Sequence, residues 1–341
     1  MIALTCIEPG KLMFLEKKYP LHKKGFAILK VRRIGICGTD YHAFSGNQPF
    51  FEYPRVLGHE IAAEIVAIEE NSLFKIGDYV AVYPYFSCGK CIACRSGKNN
   101  CCESISVFGV HEDGGMQEYI SVPQSSLVLG NGLSLDELSL VEPLAIGAHG
   151  VSLSQITQGE YVLVIGAGPI GLGAAKLAQL SGGNVIVMDL NDARLNFCKE
   201  KLAIQETINP SNEDVQQRLM EITNGDMPTV IIECSGNVNA INGAVPLLAH
   251  GGRLILIGLQ KKDIIISHPE FHKRETTMRS SRNASHEDFR SVITYIQKGI
   301  LKPADFITHK LSFIDVPQTF DVLLTSQSEV IKAVINFDQI D

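Results

Sequence analysis

Five of the nine cysteines of this 341-residue chain fall in one fifteen-residue run, CGKCIACRSGKNNCC, at 88–102. Cys88, Cys91, Cys94 and Cys102 are separated by two, two and seven residues. Four thiolates from one short loop match the closed tetrahedral coordination of a structural zinc ion, which leaves no position for substrate. Gly89 and Gly97 lie between them and permit the tight turns that bring four sulfurs onto one ion. A site of that kind stabilises and does not react. A coincidental run of free cysteines is the alternative, and Cys101 is left over as an unassigned thiol.

A second set is scattered: Cys37 in GICGTDYH, His59 and Glu60 in VLGHE, and Glu142 in VEPLAIGAHG. Taken singly, a cysteine and a histidine are more often core residues than ligands. Together with carboxylates they form a mixed set of three or four donors, the kind that leaves zinc exchangeable for water or substrate. The third set is GAGPIG, Gly166 to Gly171, after an apolar run and at the head of a helical pattern. Gly166 permits the turn, Gly168 lets backbone approach a pyrophosphate, and Gly171 lets helix pack on strand, with Pro169 and Ile170 opening the helix. The helix N-terminus offers unpaired amides to phosphate. Asp189, 21 residues after Gly168, is placed to accept from both ribose hydroxyls and to repel a 2′-phosphate. Leu190 and Asn191 follow it, so no adjacent basic residue invites that phosphate, and the expectation is NAD rather than NADP. A glycine-rich turn in an unrelated α/β protein is the competing reading.

Two kinds of element must carry these sets. Up to about residue 150, short β-branched runs such as AILKVRRIGI (27–36), EIAAEIVAIEE (60–70), DYVAVYPY (78–85) and QEYISVP (117–123) indicate a β-rich unit. After Gly159, YVLVIG, NVIVMDL, TVIIECSG and RLILIGL alternate with helical stretches, which predicts a parallel sheet with helices on both faces. The tail, HEDFRSVITYIQKGIL and VPQTFDVLL followed by EVIKAVINF, breaks that alternation and is expected to return to the first unit. The net charge of −7, without a basic block, argues against nucleic acid. No segment reads as a secretory signal or a bilayer span. Clustered thiols, odd in number, fit metal ligation in a reducing cytoplasm better than disulfides.

The order GHE, GD-x-V, four-cysteine lobe, GAGPIG resembles the zinc-dependent medium-chain alcohol and polyol dehydrogenases over almost the whole chain. Glu142 in EPLA is similar to the sorbitol and threonine branches, which carry Glu where classical alcohol dehydrogenases carry Cys. The resemblance implies an α/β protein: a GroES-like β-rich catalytic domain at 1–150 and 289–341, and a Rossmann doubly wound NAD-binding domain at 151–288. A cleft between them would hold zinc, nicotinamide and a small-molecule substrate. It implies two Zn2+ per chain and NAD, with reversible hydride transfer from a secondary alcohol and zinc as the Lewis acid. Cys37 and His59 would be direct ligands, and Glu60 and Glu142 direct or indirect ones. Thr39 would take the alcohol proton and His42 pass it to solvent, imidazoles in general titrating near neutrality. Thr39 as a turn cap and His42 as a surface histidine are the alternatives.

Substrate is read less directly. In RSSRNASHEDF (279–289), Arg279 or Arg282 would suit a carboxylate, pairing with it through two hydrogen bonds, with Arg282 the better placed. A surface loop with a helix cap at Ser285 explains the same residues. The expectation is an aldonate or other sugar acid, or a polyol, with an L-threonine 3-dehydrogenase-like enzyme as the alternative and a non-enzymatic zinc-binding regulator behind it. A homo-oligomer, dimer or tetramer, follows by analogy with bacterial relatives.

Overall fold

The computed structural model describes residues 1–48, 51–70, 72–326 and 330–339. The chain divides into two units, Met1–Pro143 with Ala284–Asp341, and Leu144–Asn283. The division falls earlier than the expected 150 and 288. The helix Val141–Ser154 starts before the first boundary and runs past it, so no break in the sequence pattern marks the place.

In the first unit the strand Phe26–Gly35 is the spine. It pairs antiparallel with Glu60–Ala67, with Tyr119–Pro123 and with Lys332–Asn336, in a sheet that also carries Tyr79–Val82, Leu127–Leu129 and Ile307–Ser312. The tail thus supplies two strands, and Val334 faces Gly35 across the ladder. Leu29, Ile34, Ile61, Ile65, Phe313 and Phe320 are among the buried side chains of this core. Each contributes about 1.5–3 kcal/mol relative to exposure. A three-stranded sheet, Lys11–Glu16, Ile2–Glu8 and Arg55–Val56, lies alongside in the same unit. The short pair Tyr85–Phe86 and Ser106–Val107 closes the base of the cysteine lobe.

The second unit is a six-stranded parallel sheet. Its order is Glu206–Ile208, Asn184–Met188, Tyr161–Ile165, Val230–Glu233, Arg253–Leu256, Thr277–Ser280. The strand order reverses between Tyr161–Ile165 and Val230–Glu233, the switch point at which doubly wound sheets bind ligands. Val162, Leu163 and Val164 are all 0% exposed, as a strand covered on both faces requires. The sixth strand corrects the sequence reading. Arg279 and Ser280, which the sequence offers as part of a surface loop, instead belong to this strand, paired with Ile255 and Leu256. All four of its residues are exposed, so no apolar run announced it. Among the described residues no helix is long and apolar enough to cross a membrane.

Candidate metal centres and nucleotide turn

Cys37 lies two residues beyond the strand Phe26–Gly35 and N-caps the helix Gly38–Phe44. The carboxylate of Asp40, three residues on, accepts from the Cys37 amide at 2.8 Å and from the Gly58 amide at 3.1 Å. One buried side chain therefore ties together the loops that carry Cys37 and His59. Gly58 has φ +92°, and a Cβ there would lie 3.0 Å from Met116, which explains glycine before His59. Glu60 opens the next strand, with no exposed surface.

The donor atoms of Cys37, His59 and Glu60 lie within 4.8 Å of one another. His59 is 6% exposed, and its Nδ1 stands 4.0 Å from Asp40 Oδ1 with no hydrogen-bond partner among the described residues. Burial disfavours the His59 imidazolium, but Cys37, Asp40 and Glu142 outweigh it and hold its pKa well above the ordinary value. A buried pocket that draws positive charge, lined by one soft, one borderline and one hard donor, fits a zinc ion.

The two carboxylates are held differently. Glu60 takes both its oxygens to Lys332 Nζ, at 2.7 Å each, and Lys332 also donates to Ile36 O at 3.0 Å. Burial works against the Lys332 ammonium, but Glu60 and Cys37 reverse this and raise its pKa. Glu142, 5% exposed, is outside the three-donor group. It accepts a hydrogen bond from the Tyr85 hydroxyl. Burial, reinforced by Glu60, pushes its pKa up to about 7 against the opposing pull of His59 and Tyr85. Thr39 sits half-buried in the first turn of the Cys37-capped helix, and His42 is exposed one turn later.

The lobe brings the sulfurs of Cys88, Cys91, Cys94 and Cys102 within 4.8 Å of one another, Cys91 and Cys94 at 3.4 Å. Gly89 and Gly97 take φ +70° and +74°. Amides of Cys94 and Glu103 draw the Cys91 thiol down to about 6, while burial and the neighbouring Cys91 and Cys102 sulfurs push Cys94 up to about 11. Four sulfurs this close cannot all ionise unaided, and a dication removes that conflict. Cys101 is exposed and outside the group.

In the second unit Gly166 has φ +95° and donates to Met188 O at 2.8 Å. A Cβ on Gly171 would lie 1.7 Å from Gly166 O, whereas one on Gly168 would meet nothing within 4 Å. Gly171 therefore serves packing and Gly168 leaves open space at the head of the helix Pro169–Leu180. Asp189 Oδ2 accepts from the Ala167 amide at 2.6 Å and Oδ1 from the Asn191 amide at 2.8 Å. Each oxygen keeps a lone pair for a ribose hydroxyl. The neighbouring turn is held by Glu233, buried at the end of its strand, which accepts from Ser235 and Gly236. Arg279 donates to Leu153 O at 3.3 Å, and Arg282 is exposed between the last strand and the Ser285-capped helix.

Sequence reasoning passed over Asp40, Lys332 and Tyr85. The first two had signals: Asp40 stands at capping-box spacing from Cys37, and Lys332 is a lone charge inside the apolar run EVIKAVINF. Tyr85 had none beyond its strand.

Two family models match, "Alcohol dehydrogenase GroES-like domain" over residues 23–131 and "Zinc-binding dehydrogenase" over 169–298. The chain is 44% identical to an L-galactonate-5-dehydrogenase of Escherichia coli K12, covering 99% of each. It is 30% identical to a sorbitol dehydrogenase of Halalkalibacterium halodurans, covering 94% of each. The crystal structure of the alcohol dehydrogenase RspB of Escherichia coli CFT073, complexed with NADH, superposes with TM-score 0.92 at 32% identity over 99% of both chains. With its two domain types, its two donor clusters and relatives alike from end to end, the chain belongs to the zinc-type medium-chain alcohol dehydrogenase family.

Proposed function

We propose that the chain is a zinc- and NAD-dependent dehydrogenase that oxidises a secondary hydroxyl of a sugar acid or polyol. The observation that carries the reaction class is the Cys37–His59–Glu60 group, with its histidine and carboxylate buried and Asp40 bracing the loops behind it. Cys37 and His59 would hold the catalytic ion, with Glu60 and Glu142 as the carboxylates at its edge. Cys88, Cys91, Cys94 and Cys102 would hold a structural one. Zinc supplies Lewis-acid polarisation of a hydroxyl oxygen.

The chain's own residues then have separable tasks. Thr39, in the first turn beyond Cys37, accepts the proton of the reacting hydroxyl as its own hydroxyl proton passes on to His42, exposed on the same helix, which hands it to solvent while the hydride goes to NAD. The turn Gly166–Gly171, with Pro169 and Ile170, receives the pyrophosphate of NAD at the helix N-terminus. Asp189 accepts from the ribose hydroxyls and repels a 2′-phosphate. Arg282 is assigned to the substrate carboxylate. Similarity to an L-galactonate-5-dehydrogenase supports a sugar acid before a neutral polyol. All nine cysteines are unpaired, in keeping with a cytoplasmic enzyme. A dimer or tetramer is the expected assembly, read by light scattering.

The test is NAD reduction by the zinc-loaded protein against L-galactonate and other aldonates, sorbitol, L-threonine and simple alcohols, with NADP in parallel. Turnover led by an aldonate and cut sharply by Arg282→Ala supports the reading. A polyol in the lead with Arg282→Ala silent removes the sugar acid and the arginine together. L-Threonine in the lead, or NADP used as well as NAD, overturns the substrate or cofactor assignment respectively.

A further inference from the structure

Glu60 shares a donor group with Cys37 and His59, and Glu142, outside that group, acts electrostatically on the same His59; of these two carboxylates, only Glu60 has a cation hydrogen-bonded to it among the described residues. Lys332 engages both oxygens of Glu60. Among the described residues Glu142 is held through Oε1, by the neutral hydroxyl of Tyr85. A carboxylate bound through both oxygens to a buried ammonium is already committed; one held through a single oxygen keeps the other as a donor.

Tyr85 is itself fixed. It is 4% exposed, and its ring stands edge-on to Tyr83 at 5.1 Å and 87°. Tyr83 stacks on His286 at 3.8 Å and 21°, meets the edge of Phe289 at 5.3 Å, and donates its hydroxyl to Ala284 O at 2.9 Å. A column of rings rooted in the helix His286–Gln297 thus ends in a hydroxyl on Glu142. Tyr85 has one donor proton, and that proton is spent on Glu142.

We propose that Tyr85 is a positioning residue: its hydroxyl holds Oε1 of Glu142 so that Oε2 serves as the exchangeable carboxylate donor to an ion held by Cys37 and His59, while Lys332 engages Glu60. This rests on the zinc-dependent reading above and deepens it. Of the two carboxylates, Glu142 is the one available to come and go as substrate binds, and Lys332 keeps Glu60 out of that exchange.

The experiment follows release of zinc from the fully loaded enzyme into excess 4-(2-pyridylazo)resorcinol, with total zinc determined beforehand. Tyr85→Phe keeps the ring and removes only the hydroxyl, so the column stays packed. The expected result is one zinc leaving about tenfold faster or more, the scale of a lost hydrogen bond to a carboxylate, with the second zinc unchanged. Glu142→Gln should accelerate the same zinc, and the double variant should release it no faster than Glu142→Gln alone. Turnover number should fall in Tyr85→Phe while KM for NAD stays put. Release from Tyr85→Phe at the wild-type rate, or additive effects in the double variant, overturns the role of Tyr85. A wild-type protein that takes up fewer than two zinc ions instead brings down the reading of the site, and the proposal with it.

Discussion

Replacing Lys332 by methionine probes a fully buried ion pair of the first unit. The Lys332 and Glu60 side chains are 2% and 0% accessible, and the ammonium meets both carboxylate oxygens. Methionine fills much of the same volume, so packing changes little and the loss is electrostatic. Glu60 would then be a buried charge without its partner, a change worth about 3–5 kcal/mol of destabilisation. Glu60→Gln leaves the ammonium stranded instead and should cost a comparable amount. The double variant buries no unpaired charge and should recover much of that loss. The assay is urea denaturation of the zinc-loaded protein with zinc held constant, read as a double-mutant cycle. A coupling of about 2 kcal/mol or more is expected, within the range for residues in direct contact. Raising free zinc should also shrink the deficit of Lys332→Met, because the released Glu60 becomes an anionic donor to the ion and a ligand that binds only the folded state stabilises it. Additive single effects, agreeing within about 0.5 kcal/mol, would refute the reasoning.

Cys94→Ser should lower zinc content by one ion per chain and reduce stability; a stable variant retaining two ions contradicts a structural lobe. Gly171→Ala and Gly168→Ala should separate packing from binding. The first drives a Cβ to within 1.7 Å of Gly166 O and should cost about 1–3 kcal/mol of stability. The second meets no atom within 4 Å and should fold normally while NADH affinity, read by fluorescence titration, drops. Asp189→Ala should raise KM for NAD and narrow its advantage over NADP; an unchanged ratio removes Asp189 from cofactor choice. Glu160 accepts two bonds from Arg253, at 2.8 and 2.7 Å. Burial opposes its ionisation, but the Thr157 amide and Arg253 win and lower its pKa from 4.5 to about 2. A carboxylate depressed in this way stabilises the fold above its unfolded pKa, and that contribution is lost as pH falls from 4.5 towards 2. Glu160→Gln should therefore cost about 1–3 kcal/mol at pH 7, and the gap to wild type should close across that acid interval. A gap independent of pH would mean the pair is not the cause.

Local signals carried most of the architecture. Continuous apolar strands such as YVLVI, glycines at forced turns and closely spaced cysteines each report a constraint acting within a few residues. The parallel sheet, the clustering of the four lobe cysteines and the glycine turn were legible for that reason. The strand Thr277–Ser280 was not, because an exposed edge strand needs no apolar pattern. Nor were the partners of the two carboxylates. Tyr85 and Glu142 are 57 residues apart, Glu60 and Lys332 272. Pairings at that separation are set by how strands stack, and sequence spacing holds no record of them. A lone lysine in an apolar strand does announce that a counter-charge exists, without saying where.

The position of Lys332 late in the chain gives the site a birth order. Cys37, His59 and Glu60 leave the ribosome early, but the ammonium that neutralises Glu60 follows 272 residues later, after the entire nucleotide unit has been translated. At 5–20 residues per second the delay is on the order of tens of seconds. During that interval the strand Phe26–Gly35 also lacks its neighbour Lys332–Asn336, so one ladder edge and one carboxylate stay open together. The pairing of Glu60 with Lys332 is thus among the last contacts that synthesis of the first unit permits, completed together with the ladder between Phe26–Gly35 and Lys332–Asn336.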